Sequence, residues 1–334
     1  MKKNIIICFS LTLLLFSCKS EKGQYTFIEG TAQGATYHIT FENKELKDYS
    51  IVIDSFLNAF DKSLSIYDST SLISKINSNC NDLMLDDWFI KVFNKSVVIN
   101  KLTDGAFDIT VGPICNAWGF GNTPYTKVDS ASIDSLLQFV GMSNVSINDQ
   151  KLVKLLPGVK LDFNALAQGY AVDIICDFFE EEGIENYLIE IGGELRAKGK
   201  NAKDNYWKIG IDRPDDNNNI AGENLQAILE IKDKAVATSG NYRRFFVENG
   251  VKYSHIINPK TGYPARSNLL SVTVISDKCI DADALATSFM VLGFEKSKTL
   301  VKQLPDIDVL FIYSNENGEY QVFYTEGLKK MLVE

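Results

Sequence analysis

The residue best suited to proton transfer in this sequence is His255, one of two histidines among 334 residues. An imidazole accepts a proton near neutral pH more readily than other side chains. His255 begins the segment 255–262 (HIINPKTG), which ends in a Pro-Lys-Thr-Gly turn of a kind that often carries function. A lone histidine is commonly structural. Hydroxyl groups at 238–240 and carboxylates at 281–287 flank this one, and that context favours a general base.

A second group of reactive residues lies on a predicted helix late in the chain. Asp283 and Thr287 are four residues apart and therefore share one face of that helix. A carboxylate and a hydroxyl, joined by a backbone carbonyl, form a set of hard oxygen ligands that suits Mg²⁺. The spacing alone is explained more simply by a carboxylate that caps the start of an ordinary helix. The sequence leaves both interpretations open.

Aromatic residues beside glycines indicate where a flat ring could bind. Residues 103–110 combine two carboxylates, two hydroxyls and one phenylalanine, and the segment 118–121 (WGFG) follows closely. These rings could form a stacking wall for a ligand or a buried corner of the core. No glycine cluster has the GxGxxG pattern of a dinucleotide fold or the pattern of a Walker loop. The start of a helix near 161–170, capped by Asp162 or Asn164, could hold an anion or present a ligand.

Hydrophobic periodicity predicts helices and strands in a mixed order. The predicted helices are 49–64, 86–104, 130–140, 164–182 and 281–292, followed by one short helix. The predicted strands are two within 27–41, then 187–191, 207–211, 225–231, 271–275, 309–313 and 320–324. Because these elements do not alternate as regular βαβ units, the predicted fold class is α+β rather than doubly wound, in one domain.

Composition limits the class of partner. A formal charge of −9 at pH 7 argues against a nucleic-acid partner, because a phosphate backbone requires a basic surface. The four cysteines after residue 18 form no CxxC pair, which argues against a zinc site and predicts small core residues.

The N-terminus has the pattern of an export signal. Lys2 and Lys3 precede an apolar stretch, 5–16, that is too short to span a bilayer comfortably. Residues 15–18 (LFSC) resemble the lipobox of bacterial lipoproteins, in which the signal is removed before a cysteine that becomes lipidated. An ordinary secretory signal with an incidental cysteine is the alternative.

This pattern divides the chain into three parts. We expect a signal peptide at 1–17, a tether at 18–25 that is lipidated on Cys18, and a catalytic domain at 26–334. Burial of the acyl chains would hold the exported protein at a bacterial membrane without a spanning helix.

Nine segments, taken in order, resemble the ApbE family of flavin transferases, the FAD:protein FMN transferases. They are 30–34 (GTAQG), 64–67 (LSIY) with Ser71 and Asn77, 104–108 (DGAFD), 118–121 (WGFG), 162–173, 191–194 (IGGE), 237–240 (ATSG), 255–262 (HIINPKTG) and 282–287 (ADALAT). Each motif is weak alone, whereas their number and order make the set specific.

The resemblance implies an enzyme that binds FAD and Mg²⁺ in the cleft of one α+β domain. It implies transfer of the FMN moiety to a Thr or Ser hydroxyl of a target protein, with AMP as the leaving group. The implied acceptor is a flavin-carrying subunit of an exported or membrane-bound redox complex. Such a partner suits a lipid-anchored protein that faces the periplasm from the inner membrane.

Site residues follow from the matched motifs. The implied metal ligands are the carbonyl oxygen of Ala165 and the side chains of Asp283 and Thr287, and His255 is the implied general base for the incoming hydroxyl. The residues implied to line the flavin nucleotide are Tyr67, Ala106, Phe107, Asp108, Asp162, Gln168 and Ile257.

Three departures from the family pattern accompany the match. Gln168 stands where lysine is usual and removes one positive contact, Gln33 stands where methionine is common, and Asn258 replaces a frequent aspartate. Two other functions remain open at this stage. One is hydrolysis of FAD to FMN and AMP in the same site, and the other is a flavin-holding lipoprotein without turnover.

Overall fold

The computed structural model describes residues 23–125, 128–214, 222–241, 245–248 and 251–333, with the backbone alone for 245–248 and 251–253. The predicted signal peptide at 1–17 and the predicted lipidation site at Cys18 lie outside the described residues, as does most of the tether. Among the helices of the described part, none has both the length and the apolar character needed to cross a bilayer.

The strands of the described residues form one large sheet and four two-stranded sheets. In chain order they are β1 (Tyr25–Ala32), β2 (Ala35–Glu42), β3 (Val145–Asn148), β4 (Lys151–Lys154), β5 (Tyr187–Ile191), β6 (Glu194–Lys198), β7 (Trp207–Asp212), β8 (Leu225–Ile231), β9 (Lys234–Gly240), β10 (Phe245–Glu248), β11 (Val251–Ser254), β12 (Ile257–Asn258), β13 (Tyr263–Pro264), β14 (Leu269–Ser276), β15 (Asp308–Ser314) and β16 (Tyr320–Tyr324).

The large sheet has the strand order β1-β2-β5-β6-β9-β14-β15-β16. Every neighbouring pair in it is antiparallel. An antiparallel sheet with separate helices is the α+β architecture, so the predicted fold class is confirmed.

The described residues also form helices, several of which pack against this sheet. The helices are α1 (Ser50–Leu64), α2 (Leu72–Asn77), α3 (Asp87–Leu102), α4 (Gly112–Ala117), α5 (Ser130–Leu137), α6 (Ala167–Glu181), α7 (Cys279–Leu292), α8 (Phe294–Val301) and α9 (Glu326–Lys329), with a 3₁₀ turn at Met142–Asn144. The predicted start of α3 is confirmed, because the carboxylate of Asp86 accepts a hydrogen bond from the Phe89 N–H at 2.8 Å.

The large sheet separates two apolar layers. On one face, Leu195 of β6 and Val236 of β9 join a cluster with the apolar side chains of β7 and β8. On the opposite face, Ala235 and Ala237 of β9 join the main core, which contains the buried sides of α1, α3, α6 and α7. Side chains alternate between the two faces along each strand, so β6 and β9 each present every second residue to the helices.

Helices α6 and α7 pack closely at Gly169, near the start of α6. A Cβ at this position would lie 2.5 Å from the Cys279 carbonyl oxygen and 2.8 Å from the Asp283 Cβ, so only glycine fits without displacing a helix. The carboxylate of Asp173 on α6 caps the start of α7, accepting hydrogen bonds from the N–H groups of Cys279 and Ile280 at 3.0 Å each. These contacts set the position of α7 against α6.

The start of α6 differs from the prediction. The helix begins at Ala167 rather than near 164, and its N-cap residue Leu166 makes no side-chain cap. The carboxylate of Asp162 accepts a hydrogen bond from the Asn164 N–H at 2.9 Å, which forms a local turn before the helix. Neither predicted cap residue therefore caps α6.

Candidate active site

All the predicted site residues within the described range line the same cavity, whose volume is about 670 Å³. Cys18 lies outside that range. The cavity-lining residues that the sequence predicted are Tyr67, Ala106, Phe107, Asp108, Asp162, Ala165, Gln168, His255, Ile257, Asp283 and Thr287.

The predicted metal ligands Asp283 and Thr287 lie on α7. Asp283 is 5% exposed, and its carboxylate accepts a hydrogen bond from the Gly169 N–H of α6 at 3.0 Å. The Thr287 hydroxyl shares a hydrogen bond with the Ser239 hydroxyl of β9 at 3.2 Å. The alternative interpretation, in which Asp283 caps the start of its own helix, is wrong, because Asp173 caps α7 and Asp283 is the fifth residue of α7.

Burial changes the acid strength of this site. It raises the pKa of Asp283 to about 7, although the hydrogen bond from Gly169 favours the charged form. A second buried carboxylate, Glu194 at the start of β6, lines the same cavity and is 8% exposed. Burial, and then repulsion by the charge of Asp283, raise the pKa of Glu194 well above its usual range.

No role for Glu194 was predicted from the sequence, although its segment, 191–194, is one of the nine matched segments. Ile191 and Glu194 are paired across a two-residue turn formed by Gly192 and Gly193. Both glycines have positive φ angles, 67° and 107°, which suit a tight hairpin turn. In the sequence, the signal for this position is an acid that directly follows a Gly-Gly pair.

The donor groups of this site fit a hard divalent cation. Among the described residues, no three His, Cys, Asp or Glu side chains cluster in a way that could hold a metal ion. A cation site here would therefore use mixed oxygen donors: the Ala165 carbonyl, the Asp283 carboxylate and the Thr287 hydroxyl. Such oxygens suit Mg²⁺. A cation would also offset the repulsion between the buried carboxylates of Asp283 and Glu194.

The predicted base, His255, lies between β11 and β12 and is partly buried at the cavity. Its ring meets Phe120 edge to face, with ring centroids 6.3 Å apart. The short β12–β13 hairpin that follows is held in place by Trp118, whose indole N–H donates to the Gly262 carbonyl at 2.7 Å. The segment 118–121 thus supports the predicted base. Trp118 is buried in a corner of the core, and Phe120 lines the cavity.

Asp108 lines the cavity, but its carboxylate also organises the loop that contains it. One oxygen accepts hydrogen bonds from the N–H and hydroxyl of Thr110, at 2.8 and 2.5 Å. The other accepts from the Met142 N–H at 3.1 Å. Burial raises the pKa of Asp108, and these hydrogen bonds oppose that effect. The loop therefore presents Ala106 and Phe107 to the cavity in a fixed conformation.

The cavity lining also contains Tyr67 and two polar residues from the turn before α6, Asp162 and Asn164. The Tyr67 ring is 56% exposed, and its hydroxyl accepts a hydrogen bond from the Asn164 side-chain amide at 3.3 Å. Asn77 fixes the adjoining backbone, because its amide bonds both the N–H and the carbonyl of Leu161, at 2.7 and 2.8 Å. An exposed aromatic ring over a rigid polar turn is suited to stacking with a planar ligand.

Two glutamines, Gln33 and Gln168, also line the cavity. Gln33 has a positive φ of 53°, and both polar atoms of its buried amide lack hydrogen-bond partners among the described residues. Gln168 lies against Gly192, where an added Cβ would be 2.5 Å from its amide nitrogen. Both side chains are neutral, so neither supplies the positive charge that a lysine at 168 would bring.

The cavity combines an imidazole, a set of oxygen donors that suits a divalent cation, and an aromatic wall. Phosphoryl transfer depends mainly on positioning and on neutralising charge, with a base for the attacking hydroxyl. The geometry can therefore support transfer of a phosphorus-linked group from a ligand with a planar ring.

Comparison with known proteins identifies the relatives of this chain. A model of the ApbE family matches residues 33–311. The FAD:protein FMN transferase of Vibrio cholerae serotype O1 is 34% identical over 340 residues, which cover 99% of both chains. The FAD:protein FMN transferase of Escherichia coli K12 is 31% identical, over 94% of this chain and 91% of that relative.

Solved structures show the same architecture. The flavin transferase ApbE from Vibrio cholerae superposes with a TM-score of 0.84 at 32% identity, covering 93% of this chain and all of that one. The ApbE protein from Thermotoga maritima superposes with a TM-score of 0.82 at 29% identity, also over 93% of this chain.

Proposed function

This chain belongs to the ApbE family and is an FAD:protein FMN transferase, and we propose that it uses Mg²⁺ to transfer FMN from FAD to a Thr or Ser hydroxyl. The observation that carries this proposal is the convergence of His255, Asp283 and Thr287 on one cavity. His255 lies before β12, whereas Asp283 and Thr287 lie on α7. His255 can deprotonate a hydroxyl, and Asp283 and Thr287 can hold a cation that would neutralise a diphosphate.

The proposed reaction is a single displacement at phosphorus. The acceptor hydroxyl loses its proton to the His255 imidazole, and its oxygen forms a bond to the phosphorus of the FMN half of FAD. The bond from that phosphorus to the bridging oxygen breaks, and AMP leaves with both electrons of the bond. The product is a phosphoester that joins FMN to the target protein. His255 must lie about 3 Å from the acceptor hydroxyl during this step.

The residues of α7 and the turn before α6 would hold the cation. Bound there by Ala165, Asp283 and Thr287, Mg²⁺ would supply positive charge to the FAD diphosphate. The protein's contribution is to present these oxygens rigidly. The hydrogen bonds from Gly169 to Asp283 and between Thr287 and Ser239 orient both side chains before any ligand arrives.

The remaining cavity residues would bind and orient the flavin nucleotide. Tyr67 offers an exposed ring for stacking, and Ala106, Phe107 and Ile257 supply apolar surface. Asp162, Gln168 and the loop held by Asp108 line the polar part of the cavity. A fixed wall around FAD would limit the access of water to the reacting phosphorus and so favour a protein hydroxyl as acceptor.

We also propose that the enzyme is exported and anchored to the inner membrane by lipid on Cys18, facing the periplasm. The support is the basic and apolar N-terminus that ends in LFSC. The acceptor would then be the flavin-carrying subunit of an exported or membrane-bound redox complex.

One experiment tests the reaction class. The protein is incubated with FAD, MgCl₂ and a candidate acceptor subunit, and the acceptor is analysed by mass spectrometry while AMP is quantified by chromatography. We expect an FMN-sized adduct on a threonine or serine, equimolar AMP, and loss of both with EDTA. Free FMN and AMP formed without acceptor would instead indicate a hydrolase. Bound FAD without AMP would indicate a flavin-holding protein.

A further inference from the structure

The carboxylate of Glu194 faces the predicted cation site from the sheet. Glu194 is the first residue of β6, where side chains alternate between the two faces of the sheet. The next residue, Leu195, packs on the face covered by β7 and β8. The residue after that, Arg196, reaches α6, where it pairs with Asp173 at 3.4 Å. Glu194 therefore points to the same face as Arg196, towards α6 and α7.

A second contact brings Glu194 close to the first turn of α7. The thiol of Cys279, the first residue of α7, lies 3.5 Å from the carbonyl oxygen of Leu195. Burial raises the pKa of that thiol, and the charges of Asp173, Glu194 and Asp283 contribute to the same effect. The two cavity carboxylates, Glu194 and Asp283, thus approach one another across the junction between β6 and α7.

Glu194 is an incompletely satisfied acid. It is 8% exposed, and its Oε2 is buried without a hydrogen-bond partner among the residues that the structure describes. A buried carboxylate without compensation is costly, and a second carboxylate nearby increases that cost. Retaining both acids in one cavity is understandable if a ligand of opposite charge binds between them.

The neighbouring acid Glu190 provides a contrast within the same hairpin. Its Oε1 accepts a hydrogen bond from the Gly193 N–H at 2.6 Å, and its Oε2 lies 2.6 Å from the Nδ1 of His38. Glu190 also lines the cavity, but both of its oxygens are occupied. Glu194, whose Oε2 has no such partner, is the better candidate for a cation contact.

We propose that the carboxylate of Glu194 contacts the divalent cation together with that of Asp283. This inference rests on the proposed function, because it adds a residue to the cation site proposed there. Glu194 approaches from β6 and Asp283 from α7, so the cation would link the sheet to the helix. Binding of the cation would consequently fix the positions of the Ala165 carbonyl, α7 and the β5–β6 hairpin relative to one another.

The test measures cation binding directly, without FAD or an acceptor. The mature chain is titrated with MnCl₂, and free Mn²⁺ is measured by electron paramagnetic resonance. We expect Glu194→Gln to weaken Mn²⁺ binding by about tenfold, the lower end of the usual effect of residues that support a metal site. Glu194→Asp, which retains the charge, should recover part of the affinity. Glu190→Gln makes the same change in net charge and should alter the Kd by less than about threefold.

Thermal unfolding supplies a readout that a purely structural residue would not give. In EDTA near pH 7, Glu194→Gln should unfold at a temperature about 2 °C or more above the wild type, because folding of the wild type either buries the charge of Glu194 next to Asp283 or requires its carboxyl group to take up a proton. The stabilisation produced by MgCl₂ should be smaller in the variant than in the wild type. A lower melting temperature in EDTA with an unchanged Mn²⁺ affinity would mean that Glu194 is only structural, and would overturn the inference.

The variant Asp283→Asn separates this inference from the proposed function. If Asp283→Asn abolishes Mn²⁺ binding and Glu194→Gln does not change it, the cation site stands and the role of Glu194 is refuted. If the wild type itself binds no Mn²⁺, or Asp283→Asn binds as well as the wild type, the proposed cation site fails and the role of Glu194 fails with it.

Discussion

The close contact between α6 and α7 decides whether Gly169→Ala stabilises or destabilises the protein. Alanine is favoured over glycine in helices by about 1 kcal/mol, so helix propensity alone predicts that Gly169→Ala stabilises the protein. The structure predicts the opposite. The added Cβ would lie 2.5 Å from the Cys279 carbonyl oxygen and 2.8 Å from the Asp283 Cβ. Relief of these contacts requires the helices to separate by about 1 Å, against the usual close packing of interiors.

The magnitude follows from the balance of these two effects. Overpacking of an interior typically costs about 1–3 kcal/mol. Because Asp173 ties the start of α7 to α6, the helices resist separation, and we expect the upper part of that range. After subtraction of the propensity gain, Gly169→Ala should lower the free energy of unfolding by about 1–2 kcal/mol. The melting temperature should fall by about 2–4 °C per kcal/mol.

Function should respond as well, because the Gly169 N–H holds the Asp283 carboxylate. Alanine keeps this N–H, but separation of the two helices would break its hydrogen bond to Asp283. Loss of one such hydrogen bond costs about 1–2 kcal/mol, so Mn²⁺ affinity should fall by about fivefold or more. Calorimetry gives the stability and Mn²⁺ titration gives the affinity. Glu181→Ala, at an exposed position of the same helix, is the control and should change the stability by less than about 0.5 kcal/mol. A Gly169→Ala protein that is as stable as the wild type, or more stable, would refute the packing argument.

Three further predictions concern the base, the buried acid and the anchor. His255→Ala should reduce FMN transfer by about 10²–10⁴-fold while FAD binding, followed by flavin fluorescence, stays within a few fold; transfer at a near-normal rate would show that another group is the base. Burial raises the pKa of Asp283 from its ordinary value of 3.8 to about 7, so the folded protein holds a proton that the unfolded chain has released. The metal-free protein should therefore lose stability as the pH rises from about 4 to 7. In a plot of melting temperature against pH, Asp283→Asn should reduce the slope over this range, and an unchanged slope would contradict the raised pKa of Asp283. Replacement of Cys18 by serine should release the protein from membranes in a fractionation experiment, and continued retention would argue against a lipid anchor.

Helix and strand positions followed from the sequence wherever a single neighbouring layer determines the pattern. The apolar residues Ile53, Leu57, Phe60 and Leu64 recur at helical spacing, and all four are buried on one side of α1. The strands β5 and β8 were predicted at their observed limits, because branched and alternating apolar residues favour a half-buried strand.

Elements that depend on distant partners could not be predicted in this way. Strand β6 has the sequence ELRAK, in which charged residues occupy positions that face the helices. Arg196 is tolerated there because acids on α6 neutralise it, among them Asp173 and Glu180, at 3.4 and 3.2 Å. The start of α6 was misplaced for a related reason, since Asp162 forms its own turn with Asn164 instead of capping the helix. Neither interaction can be inferred from the secondary-structure propensity of the local sequence.

Residue types and their spacing were enough to predict which chemical groups are available: an imidazole in a turn, an acid and a hydroxyl on one helix face, and aromatic residues beside glycines. These properties depend on residue type and on spacing within one element, and both can be seen in a linear chain. Packing of the sheet against the helices brings His255 and Asp283 to one cavity, lets Asp283 accept a hydrogen bond from Gly169 instead of capping α7, and buries Glu194 near Asp283. The physical reason is that desolvation and Coulomb repulsion depend on distances between separate elements, and those distances exist only after the sheet and helices pack.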